Sequence, residues 1–247
     1  MRRLILVPMF LAIVLAMANP CAYAIEIKYA FVFADRFPDE AEPLGFSPGN
    51  VVQVGAMVKA GDSPITEATA TNLDTGLVLN LTPRQIGAAY ANLLFLHRPF
   101  PPLDPDKHKG VWEIRLKDEE GNEAAAKTHR FDVVGKLPYA GNIEASGNPV
   151  APTITWGAPK KEETPSKCKM GYRVRLLKDA GNQFYRSKKL IYDLKHQIPE
   201  GILTPDIIPY TYVRIETQCW DKDDKDHPVA IELKSESFRS LEEALRQ

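Results

Sequence analysis

The sequence is poor in cysteine, in charge of one sign and in long apolar runs. Its 3 cysteines in 247 residues are too few for a dense disulfide scaffold. The 31 Lys and Arg nearly balance the 32 Asp and Glu, so the formal net charge is −1 and no overall basic field attracts nucleic acid. Nucleic acid is therefore not an expected partner. The 44% of hydrophobic residues is ordinary for a globular protein.

Motifs of several common catalytic sites are also missing. The sequence contains no Gly-x-Ser-x-Gly turn, no phosphate-binding loop and no dinucleotide-binding fingerprint. We therefore predict a protein that is not an enzyme and uses no cofactor. Carboxylates that meet only in the folded chain, such as Glu113 and Asp132, leave a cryptic acid–base site open as an alternative.

The one long apolar run lies at the start of the chain. It extends from Leu4 to Ala18, follows Arg2 and Arg3, and leads to Ala22–Ala24. The run is shorter than the roughly 20 residues that span a bilayer, and its pattern is typical of a secretory signal cleaved after Ala24. A membrane anchor is the alternative. We expect an exported bacterial protein, periplasmic or extracellular, with no membrane span after cleavage.

Beyond this run, hydrophobic residues alternate with a period of two in short segments separated by turn residues. This pattern is typical of sheets with one buried face. Trp112, Ile114 and Leu116, for example, alternate with charged residues, and Gly121–Asn122 predicts a hairpin turn after them. We predict strands at 25–33, 51–59, 65–72, 77–81, 111–117 and 128–134, and a short helix over 82–96 that starts at Thr82 and Pro83.

A segment rich in Gly, Pro, Asn and Ser divides the chain near its middle, at 135–152. The mature chain is long enough for two domains of about 110 residues each. We therefore predict an all-β protein of two tandem β-sandwiches. The predicted order is signal peptide 1–24, first sandwich 25–135, linker 136–151, second sandwich 152–238 and tail 239–247. Ser240 and Glu243 predict a helix cap in the tail.

Part of each half resembles a known domain family. In the first half, Gly110–Ile114, Asp118, Gly121–Asn122 and the strand Phe131–Val133 resemble bacterial immunoglobulin-like domains. The second half is similar to fibronectin type III domains at Pro152, Ile154, Trp156, Pro159, Gly171–Val174, Leu203, Pro205 and Val213–Ile215. The resemblance implies a binding or spacer module that uses its loops for recognition.

The type III resemblance also implies two packing features. Trp156 would pack under the strand that carries Tyr172 and Val174. A tyrosine would form a corner before the sixth strand, but Tyr210 and Tyr212 both lack the parity of the apolar residues that follow, so this corner would be altered.

Cys168 and Cys219 are the cysteines that remain after signal cleavage. An even number of cysteines in an oxidising compartment favours one disulfide. With the type III resemblance, the two cysteines lie on adjacent antiparallel strands. Placing them directly opposite each other also places Tyr172 opposite Ile215 and Val174 opposite Val213. Two separate buried thiols are the alternative.

The densest polar cluster lies in one predicted loop near the end of the chain. It comprises Asp221, Asp223, Asp224, Asp226 and His227. Asp221, Asp223 and Asp226 are a weak calcium candidate, because Ca²⁺ prefers carboxylate oxygens. Two lysines interrupt the run and the glycine of an EF-hand loop is missing, so we predict a solvated loop with no metal. This loop is the first candidate for partner binding.

A second candidate contact is Phe100, within the proline-rich segment 98–107. His97 and His108 flank this segment and, with Asp104 and Asp106, could form a zinc site if the loop folded back. The prolines favour extended backbone that holds the histidines apart. A stiff surface loop is therefore the better interpretation, in which Phe100 contacts a partner or tucks onto the sandwich.

Together these patterns predict an exported, non-catalytic binding or adhesion module that acts through its loops on a protein or a cell-surface glycan. A periplasmic scaffold or assembly protein is one alternative, and a glycan-active or peptidase accessory protein with a cryptic site is another. An exposed aromatic row on one sheet would favour glycan binding. An unpaired edge strand would favour strand addition, and converging carboxylates would favour an enzyme.

Overall fold

The computed structural model describes residues 25–59, 63–85, 92–132, 137–160, 168–221 and 233–246, with the backbone alone at 84, 85, 92, 93, 168, 220 and 221. The predicted signal peptide, 1–24, lies outside these residues. The protein is an all-β sandwich protein, as predicted. No helix in the described ranges is long and apolar enough to cross a bilayer.

The first half forms one sandwich of two four-stranded sheets. Its strands are β1 (Glu26–Phe37), β2 (Gly49–Lys59), β3 (Ile65–Asn72), β4 (Val78–Asn80), β5 (Thr82–Gln85), β6 (Asn92–Leu96), β7 (Trp112–Asp118) and β8 (Glu123–Lys127). One layer has the order β1-β2-β6-β5 and the other has the order β4-β3-β7-β8. Lettered A to G with C′ after C, these are sheets ABED and C′CFG, the arrangement of immunoglobulin-like sandwiches.

The second half repeats this plan without a D strand. Its strands are β9 (Gly141–Ser146), β10 (Thr153–Gly157), β11 (Cys168–Leu177), β12 (Gln183–Arg186), β13 (Lys195–Gln197), β14 (Tyr212–Asp221) and β15 (Leu233–Ser240). One layer has the order β13-β10-β9 and the other has the order β12-β11-β14-β15. Four short helices complete the described elements: two 3₁₀ helices, Asp39–Leu44 and Ile208–Tyr210, and the α-helices α1 (Pro105–His108) and α2 (Leu241–Leu245).

The two halves share one sheet. β1 and β15 lie side by side in parallel, with Ala34 opposite Leu233, so the order runs β12-β11-β14-β15-β1-β2-β6-β5. A backbone hydrogen bond from Ala180 to Leu44 adds a second link between the halves. The apolar cluster of the first sandwich also includes Cys219 and Leu233 from the second half.

Each sandwich has its own apolar core. Trp112, Ile114 and Leu116 are almost fully buried in the first core, which confirms the predicted alternation along β7. In the second core the Trp156 and Tyr172 rings meet edge-on at 5.5 Å, as the type III resemblance implies. Tyr210 is 67% exposed, and is therefore not a packed corner tyrosine.

Two predicted elements of the first half are wrong. The described parts of 82–96 are the strands β5 and β6, because pairing of β6 with β2 buries Phe95 and Leu96 and overrides helix propensity. Among the described residues of the first half, the last strand is β8 at Glu123–Lys127; of the predicted strand 128–134, Phe131 forms a single bridge with Gly110, and 133–134 lie outside the described residues. The alanines of β8 are weak strand formers, and only the pairing with β7 identifies it.

Two further segments carry more structure than the sequence indicates. β9 lies inside 136–151, the predicted linker, and pairs with β10. In the predicted tail, Ser240 caps α2 by accepting a hydrogen bond from the Glu243 N–H at 3.2 Å. Leu241 and Ala244 of this helix are fully buried in the second core.

The register between β11 and β14 differs from the prediction by two residues. Tyr172 lies opposite Thr217 and Val174 opposite Ile215, so Met170, and not Cys168, lies opposite Cys219. A shift of two residues keeps every side chain on its predicted face, because the side-chain period of a strand is two. Cys168 therefore pairs with Asp221, two residues along β14 from Cys219, and the disulfide between the two cysteines stays a prediction.

Candidate functional site at the junction of the two sandwiches

The outer face of the shared sheet, opposite the apolar cores, carries a cluster of aromatic and charged side chains where β1 meets β15. Strand β1 buries Val32 and Ala34 in the first core and, from Tyr29 onward, turns its odd-numbered residues to this outer face. Several of those odd-numbered side chains are also buried. A strand with apolar side chains on both faces is usually buried on both faces. Here the residues that cover the outer face include Lys234 of the second sandwich.

An aromatic row runs along this face of β1. The rings of Tyr29 and Phe31 lie 5.8 Å apart, and those of Phe31 and Phe33 lie 5.5 Å apart and are stacked. Exposure falls along the row: Tyr29 is 49% exposed, Phe31 is half-buried and Phe33 is buried. The Lys234 ammonium lies 4.1 Å from the centroid of the Phe33 ring. The row therefore leads from solvent into the junction.

Arg214 of β14 marks the other end of the junction. Its guanidinium lies 4.9 Å from the Phe46 ring centroid and 5.7 and 5.8 Å from those of Phe238 and Phe37. Such contacts between cations and aromatic faces are favourable when both groups are desolvated. Because Phe37 and Phe46 belong to the first half, this one arginine ties the two sandwiches together.

Four of the charged groups form two buried ion pairs, and Arg214 belongs to one of them. Arg214 donates two hydrogen bonds to Glu236, from Nε at 2.7 Å and from Nη2 at 2.5 Å. Arg175 pairs with Glu216, which also accepts from Gln218 and lies 3.6 Å from the Lys234 ammonium. Both glutamates are fully buried.

The environment shifts the pKa values of the two glutamates in opposite directions. Burial raises the pKa of Glu216, but Arg175 and then Lys234 outweigh burial and hold that pKa well below its usual range. For Glu236, burial outweighs the attraction of Arg214, so its pKa is raised. The negative charge of Glu216 is therefore compensated more strongly by basic neighbours than that of Glu236.

Asp35 is the buried acid that the first sandwich contributes to this cluster. It is 1% exposed and accepts hydrogen bonds from Gln53 Nε2 at 2.7 Å and from the Arg36 N–H at 3.0 Å. Burial, followed by repulsion from Glu236, raises its pKa to about 8. Asp35 is therefore mostly protonated at neutral pH.

Two arginines of the second sandwich lie near the exposed end of the aromatic row. Burial raises the pKa of the Tyr29 phenol, while Arg186 and then Arg173 oppose that rise, which places both guanidinium groups within electrostatic reach of the ring. Arg173 is fixed by donating to the Ser187 and Lys188 carbonyls at 3.1 and 3.4 Å. Arg186 is exposed. Tyr29 and Arg186 thus present an aromatic ring and a cation from different sandwiches.

Most of the partner-binding residues predicted from the sequence are outside the part of the chain that the structure describes. Asp223, Asp224, Asp226 and His227 lie outside the described residues, and Asp221 is described only by its backbone, at the end of β14. The predicted partner-binding role of this loop, and its weak calcium site, therefore stay predictions. Phe100 is half-buried and packs on a small cluster with Phe37 and Val51, so it contributes to packing beside the junction.

The histidines that flank the proline-rich segment do not form a metal site with its aspartates. His108 is buried, and its Nδ1 accepts a hydrogen bond from the Asp104 N–H at 2.9 Å. The His97 Nδ1 lies 2.8 Å from the Asn80 carbonyl oxygen. Across the part of the chain that the structure describes, no three metal-ligating side chains come together.

The sequence analysis did not predict the junction residues, because their alternation with apolar residues is that of an ordinary strand with one solvent-exposed face. Arg214, Glu216 and Gln218 alternate with apolar residues, as they would on a solvated strand. One signal was available in β1, where Phe31, Phe33 and Phe37 make both faces apolar. Such a strand has no wet side, which indicates a second covering layer.

Comparisons with known proteins do not assign this chain to a family. No family model matches the chain, and no curated protein matches it. Among solved structures, domains A168–A170 of titin align with 12% identity and a TM-score of 0.28, covering 86% of this chain and 66% of theirs. Murine CEACAM1b aligns with 9% identity and a TM-score of 0.22, covering 85% of this chain and 97% of its own. Scores this low carry no argument about function, so the fold class rests on the sheets themselves.

Proposed function

We propose that this protein is an exported, non-catalytic binding module, in which an immunoglobulin-like and a type III sandwich act as one unit. The sheet shared through β1 and β15 supports a single unit, because two sandwiches joined only by a linker would move independently. The charged groups of the junction favour a structural role, since Arg214 and Arg175 neutralise Glu236 and Glu216.

The observation that carries a binding role is the aromatic row Tyr29–Phe31–Phe33 with its exposed end near Arg186. Exposed rings on a sheet face suit the apolar faces of sugar rings, and a guanidinium is well shaped to bind a carboxylate. The partner proposed here is a cell-surface polysaccharide that carries carboxylates. This site differs from the predicted loops, since it lies on strand faces and takes residues from both sandwiches.

Binding to immobilised polysaccharides tests this proposal with the mature full chain. Polygalacturonate is the acidic probe, dextran is the neutral glycan control and poly-glutamate is the acidic control without sugar rings. We expect polygalacturonate to bind best. Tyr29→Ala and Arg186→Gln should each weaken that binding about tenfold, the loss of a contact worth about 1.4 kcal/mol.

Two exposed residues away from the row provide matched control variants. Tyr210 is 67% exposed and Arg115 lies on the far sheet of the first sandwich with 64% of its side chain exposed. Tyr210→Ala and Arg115→Gln should leave binding unchanged. Equal binding of poly-glutamate and polygalacturonate would contradict a glycan site, as would equal losses in all four variants.

Export is tested separately by expressing the whole chain in a bacterium with a cell envelope. The expected product is a periplasmic or released protein that begins at Ile25, because the small residues Ala22 and Ala24 suit signal cleavage. N-terminal sequencing of the fractionated protein measures this. An intact N-terminus in the cytoplasm would contradict export without affecting the binding test.

A further inference from the structure

The two sandwiches meet in one shared sheet, directly beside a buried acid. In the described ranges, backbone pairing between the halves consists of one parallel pair, Ala34 with Leu233. Asp35 is the next residue of β1 and Lys234 is the next residue of β15. Any change in charge at Asp35 therefore acts where the halves are joined.

The groups around Asp35 come from several elements. β2 contributes Gln53, β15 contributes Lys234 and Glu236, and β14 contributes Arg214 and Glu216. Arg175 of β11 lies behind Glu216. On its own strand Arg36 follows it, and the 3₁₀ helix after β1 carries Asp39, Glu40 and Glu42, which are exposed.

The basic groups nearest to Asp35 already have acidic partners. Arg214 is held by both oxygens of Glu236, and Lys234 lies beside Glu216. A proton on Asp35 leaves these pairs intact, because a neutral carboxyl can stay buried and still accept hydrogen bonds from Gln53 Nε2 and the Arg36 N–H. An ionised Asp35 has to compete for the same cations and faces Glu236, and a buried charge without its own partner is costly.

We propose that the junction is a pH-sensitive contact, in which a protonated Asp35 keeps β1 and β15 together and an ionised Asp35 loosens the two sandwiches. The inference concerns the sandwich contact and does not depend on the proposed glycan. Its physical basis is that a carboxylate in this position gains stability by moving toward water, and that the backbone pair of Ala34 with Leu233 lies directly next to it.

Hydrogen–deuterium exchange of the mature chain tests this across about pH 6 to 10, with each rate corrected for the intrinsic pH dependence of exchange. Amides of β1 and β15 near Ala34 and Leu233 should exchange about tenfold faster at the alkaline end, with a midpoint near 8. Amides of β7 in the first core should not change. A flat profile at the junction overturns the proposal, and this measurement requires no variant.

The isosteric variant Asp35→Asn identifies the group responsible. The amide cannot ionise and still offers an acceptor to Gln53, so the alkaline increase at the junction should disappear. Asp118→Asn is the matched control, because Asp118 is a buried aspartate of the first sandwich, at 3% exposure and away from the junction. If Asp35→Asn keeps the wild-type increase, Asp35 is not the sensor and the proposal fails.

Discussion

Arg214 and Glu236 form a bidentate ion pair on the outer face of the second sandwich, with N–O distances of 2.7 and 2.5 Å. They are diagonal neighbours, since Arg214 lies opposite Phe238 and Glu236 lies opposite Glu216. The same guanidinium contacts Phe37 and Phe46 of the first half. A pair that would be solvated if the second sandwich stood alone is therefore buried with the help of the neighbouring half.

Removing the arginine alone should be strongly destabilising. Arg214→Met keeps the apolar stem but leaves Glu236 buried without its main partner, which should cost about 3 to 5 kcal/mol of unfolding free energy. Urea denaturation measures this loss. Arg115→Met is the control, because Arg115 pairs with Glu113 at an exposed position, and we expect a change below about 1 kcal/mol.

The double variant Arg214→Met/Glu236→Leu separates charge from packing. Removing both charges leaves no unpaired acid at this position, so stability should recover to near the wild-type value. If the double variant is as unstable as Arg214→Met alone, the aromatic contacts of Arg214 are what stabilise the junction, and the ion-pair explanation is wrong.

The contribution of Asp35 to stability should fall as pH rises from about 4 to 8 at constant ionic strength. The pKa of Asp35 is about 8 in the folded chain and 3.8 is its ordinary value, so the folded state holds a proton in this window that the unfolded state has released. Each pKa unit of difference between the folded and unfolded states changes the free energy of unfolding by about 1.4 kcal/mol. Denaturation of wild type and Asp35→Asn at matched pH values measures the effect as their difference. A constant difference across the window would contradict this assignment.

The alternating pattern was enough to predict the layers of the fold. It predicted the β3 bounds and the buried side of β7, because a period of two is a local property of the chain. It did not identify β8, whose alanines show no β preference, or strands β5 and β6, where pairing with β2 decides the structure. The predicted register between β11 and β14 was wrong by two residues. The alternation of apolar residues indicates which face of a strand is buried, but it does not determine how far the strand is shifted along its neighbour.

The candidate site was less predictable, for a different physical reason. Asp35 lies 179 or more positions before Arg214 and Glu236 in the sequence, and no local pattern indicates that β1 will lie beside β15. Charged residues on alternate positions of β14 and β15 indicate a wet face for one sandwich considered alone. Only contacts with the other half of the chain, such as those of Arg214 with Phe37 and Phe46, turn it into a buried cluster.

The two cysteines should carry no free thiol in exported protein. Cys219 is buried, and the backbone of Cys168 pairs with Asp221, two residues along β14 from Cys219. Thiol titration in denaturant without reductant should therefore find none, and replacing both cysteines by serine should lower stability by about 3 to 4 kcal/mol, as expected for a closed loop of about 50 residues. Two titratable thiols in protein recovered from the periplasm would contradict the disulfide.

The C-terminal helix should be part of the second sandwich and not a removable tail. Leu241 and Ala244 are fully buried against the second core, and the Leu241 N–H donates to the Thr211 carbonyl at 2.8 Å. Leu241→Ala should cost about 2 to 5 kcal/mol because it leaves a cavity in that core. Glu242→Ala, on the exposed side of the same helix, should change stability by less than about 1 kcal/mol. Urea denaturation followed by tryptophan fluorescence compares the two, and equal small effects would show that the helix contributes little to the fold.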